Sequence, residues 1–333
     1  MAGQAQVVDS MRNNEGWGNK SSITLLVPCF NEQDSIELFY SELCPVLSGS
    51  DVEVEILFVD YGSHDDSVAR LRLLASRDAR VRVIALSRNF GKEAALTAGL
   101  DYATGDAVIP IDVDLQDPVE LIPDMVMRWR QGADVVLARR RDRSQDGWLR
   151  RFWARFFYRL IARLNDAPFH EDVGDYRLLD RVVVDAVRLM REKNRFMKGL
   201  FSWPGFRTEV IDYDRPARSR GNSKWRWWKL FNYALDGVFS FSTAPLRIWT
   251  YIGGLMSLLS LAYLVFVVLK TLIYGVDWPG YASIVSIILF FSGINLVGLG
   301  IIGEYLGRVF IEVKQRPLYL VRETIGFEPH RAE

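Results

Sequence analysis

The chain has 333 residues, room for about two domains, and its 41 Lys+Arg against 41 Asp+Glu leave a formal net charge of +0. Bulk charge therefore gives no reason to expect nucleic acid, and any electrostatic recognition must come from local patches. Cys29 and Cys44 are too few for a disulfide framework and read as structural thiols; His64, His170 and His330 are scattered without zinc-ligand spacing.

In chain order, residues 1–21 are polar, lack the apolar stretch of a signal peptide and are expected to be a disordered lead. Short apolar runs follow at Ile23–Val27, Val54–Val59, Val81–Ala85, Ala107–Ile111 and Val135–Ala138. Between them lie segments of helical period, Asp34–Leu47, Ser67–Ala75, Lys92–Ala103 and Val119–Arg130. This alternation predicts an α/β domain with a mostly parallel sheet covered on both faces, and ligands of such sheets bind beyond the carboxyl ends of the strands. The unusual residues fall there: Pro28, Phe30, Asn31 and Glu32 after the first run, Asp60 after the second, Arg88–Lys92 after the third and Asp112–Asp117 after the fourth. Neither a Gly-x-Gly-x-x-Gly nor a Walker lysine loop is present, which weakens dinucleotide and P-loop readings.

Asp112, Asp114, Gln116 and Asp117 are the oxygen donors a hard cation takes, and Mg²⁺ or Mn²⁺ is commonly held by one or two carboxylates plus substrate phosphates. Asp112 and Asp114 alternate along an extended chain, so both can face one ligand. The competing reading is that they cap the helix beginning near Asp117-Pro118.

Downstream, Trp148–Leu164 places Arg151, Arg155, Arg159 and Arg163 on one helical side and apolar residues opposite, the pattern of a helix lying in the headgroup layer. A second interfacial segment, rich in tryptophan, is expected within 224–247. Ile248–Leu269 and Tyr281–Gly303 carry no formal charge, and each is long enough to span a bilayer. They read as a transmembrane hairpin within 248–303, followed by a tail over 304–333. The segment before the hairpin carries Arg218, Arg220, Lys224, Arg226, Lys229 and Arg247, and the tail carries Arg308, Lys314, Arg316 and Arg322, whereas the connecting loop has one lysine. Both ends are therefore expected on the cytoplasmic side of a plasma membrane.

Leu26–Glu32, Val59–Ser63, Leu86–Gly91 and Asp112–Pro118 resemble the successive motifs of family 2 glycosyltransferases with the GT-A fold. Gly174–Leu178, the segment from Arg215 to Lys224, and Gly303–Arg308 are more narrowly similar to polyprenyl-phosphate glycosyltransferases, in particular the bactoprenol glucosyltransferases. The likeness covers about residues 22–325, with 22–223 as a cytosolic catalytic domain. It implies an inverting enzyme moving a sugar, most often glucose, from a UDP-sugar to undecaprenyl phosphate, with Mg²⁺ or Mn²⁺ as cofactor and a homo-oligomer, such as a tetramer, as its assembly.

The resemblance also implies residue roles. Asp114 with Gln116 would hold the metal; Asp60 and Asp112 would hold the uridine, with Pro28, Phe30, Glu32 and Lys92 lining its site. Arg215, Arg218, Ser223 and Lys224 would surround the lipid phosphate. Asp175 occupies the family's base position, but a phosphate acceptor is largely a dianion at neutral pH, so orientation is the expected task. One position departs from the pattern: Tyr61 stands where the family usually carries a second acidic residue. Three other readings are a polysaccharide synthase, whose Gln-x-x-Arg-Trp signature is absent, a transporter, which would need charge within its spans, and a non-enzymatic binding protein.

Overall fold

A computed structural model of the chain describes residues 21–49, 51–140, 173–193, 195, 197–213, 244–274 and 280–327. The expected interfacial segments at 148–164 and, but for its end, 224–247, together with Arg215, Arg218, Ser223 and Lys224, lie outside the described residues.

The first half follows the predicted alternation closely. Its elements are β1 (Ser22–Cys29), α1 (Ile36–Ser48), β2 (Glu53–Asp60), α2 (Ser67–Arg77), β3 (Val81–Leu86), α3 (Lys92–Tyr102), β4 (Ala107–Pro110), α4 (Ile122–Arg130) and β5 (Val135–Arg140). A 3-10 turn at Val119–Leu121 precedes α4. Then come β6 (Val173–Asp180), α5 (Arg181–Leu189), α6 (Met197–Ser202), β7 (Thr208–Tyr213), α7 (Ala244–Tyr274), α8 (Tyr281–Val313) and β8 (Val321–Ile325).

One eight-stranded sheet runs in the order β7-β5-β6-β4-β1-β2-β3-β8. Strands β1 to β4 pair in parallel, and β5 pairs in parallel with β7. The sheet is more mixed than the apolar runs imply, because β6 inserts antiparallel between β4 and β5, and β8 adds antiparallel to β3. Neither strand is a continuous apolar run. β6 carries Asp175 and Arg177 on the face opposite Tyr176 and Leu178, and β8 alternates half-buried with exposed residues, the mark of an edge strand.

Alternation along the central strands fills both faces. Ile23, Leu25 and Val27 of β1 and Ile56 and Phe58 of β2 enter one core with Phe39, Trp129 and Tyr176. Leu26, Leu57 and Val59 enter the other, beneath α3 and α5. Strands buried on both sides read as unbroken apolar runs, which is why these were visible in the sequence.

The chain divides into two compact units, residues 1–230 with 316–333, and residues 231–315. The tail expected after the hairpin is thus partly sheet. Besides the β8 ladder, Tyr319 donates to Asp101 at 2.8 Å, the Ser87 amide donates to the Leu320 carbonyl at 2.8 Å, and Arg82 lies over the Phe327 ring at 5.3 Å.

The second unit holds two long helices. α7 has 31 residues and α8 has 33, about 46 and 50 Å at the usual helical rise, more than a bilayer's apolar thickness. Leu255, Leu258, Leu261, Phe266, Ile288, Phe290, Leu296 and Leu299 are exposed along them, an apolar surface of the kind that marks membrane contact. Among the described residues the stretch long and apolar enough to cross a membrane is Phe290–Val313, while the apolar stretch described in α7, Tyr251–Tyr263, is shorter.

Candidate active site at the strand ends

The residues at the carboxyl ends of β1 to β4 converge. β1 and β2 end in register at Cys29 and Asp60, which sets Phe30 beside Tyr61. The two loops are knitted together: the Asn31 amide donates to Ser63 Oγ at 2.9 Å, the His64 amide to Asn31 Oδ1 at 2.9 Å, and the Glu32 amide to Ser67 Oγ at 2.9 Å. Asn31 adopts φ 54°, a left-handed conformation that asparagine tolerates. Gly62 is required by both conformation and space. Its φ is +97°, and a Cβ there would meet the Asn89 amide nitrogen at 2.5 Å.

Asp60 is fully buried, and its carboxylate accepts from the amides of Gly62 at 3.1 Å and Ser63 at 3.2 Å. It shapes the turn. Pro28 is buried within β1. Phe30, Glu32, Tyr61, Lys92, Asp112, Asp114 and Asp175 are each partly exposed. Burial, then the carboxylates of Asp114, Asp112 and Asp65, raise the Glu32 carboxyl, against the Ser35 hydroxyl that donates to it at 2.7 Å. Cys29 is buried, and burial followed by Asp60 and Glu32 raises its thiol, the behaviour of an inert structural cysteine.

Lys92 opens α3 and is the hub. Its Nζ lies 2.7 Å from Asp112 Oδ1 and 3.1 Å from Asp175 Oδ2. Burial would lower this ammonium, but Asp112 and then Asp175 outweigh it and raise Lys92 above the ordinary lysine range, so it is a cation throughout neutral pH. The antiparallel β4–β6 pairing makes the meeting possible. Its register pairs Ala107 with Asp180 and Val108 with Leu179, and continuing that register brings Asp175 opposite Asp112.

Asp114 lies beside this hub in a loop where Leu115 takes φ 57°, a strained conformation for leucine of the kind that clusters at functional sites. Asp114 Oδ1 accepts from the Gln116 amide at 3.2 Å, and Oδ2 accepts from the Gln116 side-chain nitrogen. Gln116 Oε1 is buried with no hydrogen-bond partner among the described residues. Tyr213 donates to Asp117 at 3.2 Å and Tyr176 to the Pro118 carbonyl at 2.8 Å, fixing the loop from β7 and β6. No group of three His, Cys, Asp or Glu side chains among the described residues forms a metal cage. The donor set suits a cation that takes its remaining oxygens from phosphate and water, and the orphaned Gln116 oxygen next to the Asp114 carboxylate fits such an ion.

Arg177 did not stand out as functional in the sequence, and Tyr61 stood out there as a departure from the family's pattern. Arg177, two residues from Asp175 on the same face of β6, is 3% exposed. It lies over Phe201 at 4.8 Å and donates to the Gly174 carbonyl at 2.6 Å, while its Nε has no partner among the described residues. Burial pulls this guanidinium down to about 10, and Asp175 opposes the shift. Tyr61 stacks on Phe30, with ring centroids 5.2 Å apart at 15°. Burial pushes its phenol up to about 12, Lys92 opposing and Asp112 adding to the rise.

Comparison with known proteins gives the family. Residues 24–188 match the model of glycosyl transferase family 2, and residues 244–309 match a GtrB C-terminal hairpin. A glycosyltransferase of Synechocystis, uncharacterized by its name, is 49% identical over 92% of this chain and 96% of its own length. A prophage-derived bactoprenol glucosyl transferase of Shigella flexneri is 48% identical over 91% and 98%, and a prophage bactoprenol glucosyl transferase homolog of Escherichia coli K12 is 48% identical over 91% and 99%. The chain belongs to glycosyl transferase family 2. It is a membrane-associated transferase whose family domain supplies the mixed, helix-covered sheet, and whose C-terminal helices are the matched hairpin. The motifs through Asp112–Pro118 and Gly174–Leu178 lie inside the matched family 2 segment.

Proposed function

We propose that this family 2 enzyme transfers glucose from UDP-glucose to undecaprenyl phosphate, with inversion, at the cytoplasmic face of the membrane. The observation that carries the reading is the Asp112–Lys92–Asp175 bridge beside Asp114 and Gln116, at the strand ends where α/β sheets take ligands. The likeness to proteins named bactoprenol glucosyl transferase supports the sugar and the acceptor. The exposed apolar helices α7 and α8 support a lipid substrate, with the hairpin crossing the membrane twice and both its ends cytoplasmic.

Asp114 and Gln116 would hold a Mg²⁺ or Mn²⁺ ion, which when bound neutralises charge on a diphosphate leaving group. Phe30, Glu32 and Asp112 line the nucleotide side, with Asp60 and Pro28 shaping it from beneath. Lys92 keeps Asp112 and Asp175 from repelling each other and fixes their directions. Asp175 is held by that cation, which suits an orienting carboxylate. A lipid phosphate dianion attacks the anomeric carbon without needing a base, so catalysis rests on alignment and charge stabilisation. Arg215, Arg218, Ser223 and Lys224 are assigned to that phosphate because arginine forks match phosphate oxygens and lysine adds a point charge.

The test is transfer of radiolabelled glucose from UDP-glucose to undecaprenyl phosphate by the purified full-length protein, with the lipid product identified by mass. Asp114→Ala is expected to abolish transfer, and chelation followed by added Mn²⁺ to remove and restore it. A wild-type protein giving no labelled lipid under these conditions would refute the reading.

A further inference from the structure

The tail grips one element of the site more closely than closing a sheet requires. α3 begins at Lys92 and ends at Tyr102, and the tail meets it at both ends. The Leu320 carbonyl accepts from the Ser87 amide at 2.8 Å, at the start of the loop that leads into Lys92. The Tyr319 hydroxyl donates to Asp101 Oδ2 at 2.8 Å, and the Phe327 ring meets Tyr102 edge-on at 5.8 Å and 76°. Gly326 permits the turn that returns Phe327 to this helix: its φ is +80°, and a Cβ there would meet the Val81 carbonyl oxygen at 2.6 Å. Asp101 also accepts from Arg191 through both carboxylate oxygens, at 2.9 and 3.0 Å, and lies 3.6 Å from Arg188 Nε. Arg188 belongs to α5, which continues directly from β6, the strand of Asp175. The Asp101 carboxylate, its side chain 12% exposed, therefore joins the tail both to the helix of Lys92 and to the helix that follows Asp175.

Between its ends, α3 rests on the sheet largely through small residues. Ala94, Ala95, Ala98 and Gly99 are buried, and Gly99 lies against the Leu26 side chain with no room for a Cβ. Ridges of larger side chains set how a helix seats in its groove; small ones allow close approach but interlock little, which leaves the end contacts to fix the helix along its axis. We propose that the tail is a positioning clasp for the active site, with Tyr319 and Phe327 holding the last turn of α3 and Leu320 the loop before it, so that Lys92 stays 2.7 Å from Asp112 and 3.1 Å from Asp175. This rests on the donor-site reading above and adds to it the residues that hold the site's cation in place. Tyr319 and Phe327 touch no substrate in this scheme. They act through Lys92, and a displacement of about 1 Å at a reacting centre is enough to cost about a hundredfold in rate.

Transfer of labelled glucose by the full-length protein in detergent, read as kcat/KM for UDP-glucose well below the unfolding temperature, tests the proposal. Tyr319→Phe, which removes one hydroxyl and keeps the ring, is expected to lower kcat/KM by about fivefold. Arg72→Ala removes the 2.7 Å contact to Glu323, which holds β8 to α2 rather than to α3, and should leave kcat/KM within about twofold of wild type. In a Lys92→Arg background, Tyr319→Phe should cost less than about twofold more, because both changes loosen one contact, whereas losses at independent sites multiply. An unchanged kcat/KM in Tyr319→Phe overturns the proposal, as does an equal loss in Arg72→Ala or the same loss in both Lys92 backgrounds. A wild-type protein that makes no labelled lipid overturns the donor reading itself, and this inference with it.

Discussion

Replacing Lys92 by methionine removes the cation between Asp112 and Asp175 while keeping most of the side chain's volume. At an effective dielectric of about 20, unit charges about 3 Å apart attract by about 5 kcal/mol, and Lys92 makes two such contacts, at 2.7 and 3.1 Å. Desolvation offsets much of this, and about a third of the Lys92 side chain is exposed, with 34% accessible, so solvent screening reduces it further. A net loss of about 2 kcal/mol is expected, below the roughly 3–5 kcal/mol that breaking a fully buried pair costs. For a unit of this size that lowers Tm by about 4–8 °C. The pH dependence identifies the cause. Because its partners raise Lys92, its stabilisation is fully present below the unfolded lysine value and is lost only as pH rises through the still higher folded value. The wild-type contribution is therefore flat from pH 5 to 8. In the variant the two facing carboxylates are left without the cation between them, so the deficit should be present at both ends of that range. Thermal unfolding of the full-length protein at both pH values checks this, with Lys92→Arg as a partial rescue. A variant as stable as wild type at pH 8, or one whose deficit grows on acidification, would refute the bridge as described.

Three further outcomes are expected. Arg177→Met should leave stability unchanged or improve it, because burial holds this guanidinium down at about 10 and the penalty of its charge is fully present at neutral pH; transfer should nevertheless fall by about tenfold, since Asp175 loses the charge beneath it. Denaturant titration and kcat/KM read the two effects separately, and a large loss of stability would show that Arg177 acts through packing alone. Tyr319→Phe should cost about 1 kcal/mol, one hydrogen bond, because Asp101 keeps its pairing to Arg191 at 2.9 Å. Deleting residues from 318 onward should cost far more and promote aggregation, since it exposes the β3 edge; a truncated chain that unfolds at the wild-type denaturant midpoint would refute the role of β8.

Legibility in the sequence followed burial. β1 to β4 are covered on both faces, so they had to be runs of apolar residues, and the helices between them had to show helical period on their packed sides. The observed ends differ from the predicted ones by a few residues. The hairpin helices were legible for the same reason, since long uncharged stretches have few other homes. β6 and β8 were not. β6 places Asp175 and Arg177 on a covered face, which breaks the apolar pattern, and β8 is a short edge strand whose alternation is weak evidence by itself. Asp60 was legible from its place in the motif, while its bonds to the Gly62 and Ser63 amides, which shape the turn, came only from the structure.

The sequence by itself determined the alternating units, the carboxylates at the end of the fourth strand and the apolar helices, because each depends on residues near one another in the chain. The tertiary structure alone decided that Asp175 meets Lys92 and Asp112, that the tail closes the sheet, and that Tyr61 backs Phe30. Those facts depend on strand order and register, which pair residues tens to hundreds of positions apart, and no local periodicity encodes which strand will lie beside which.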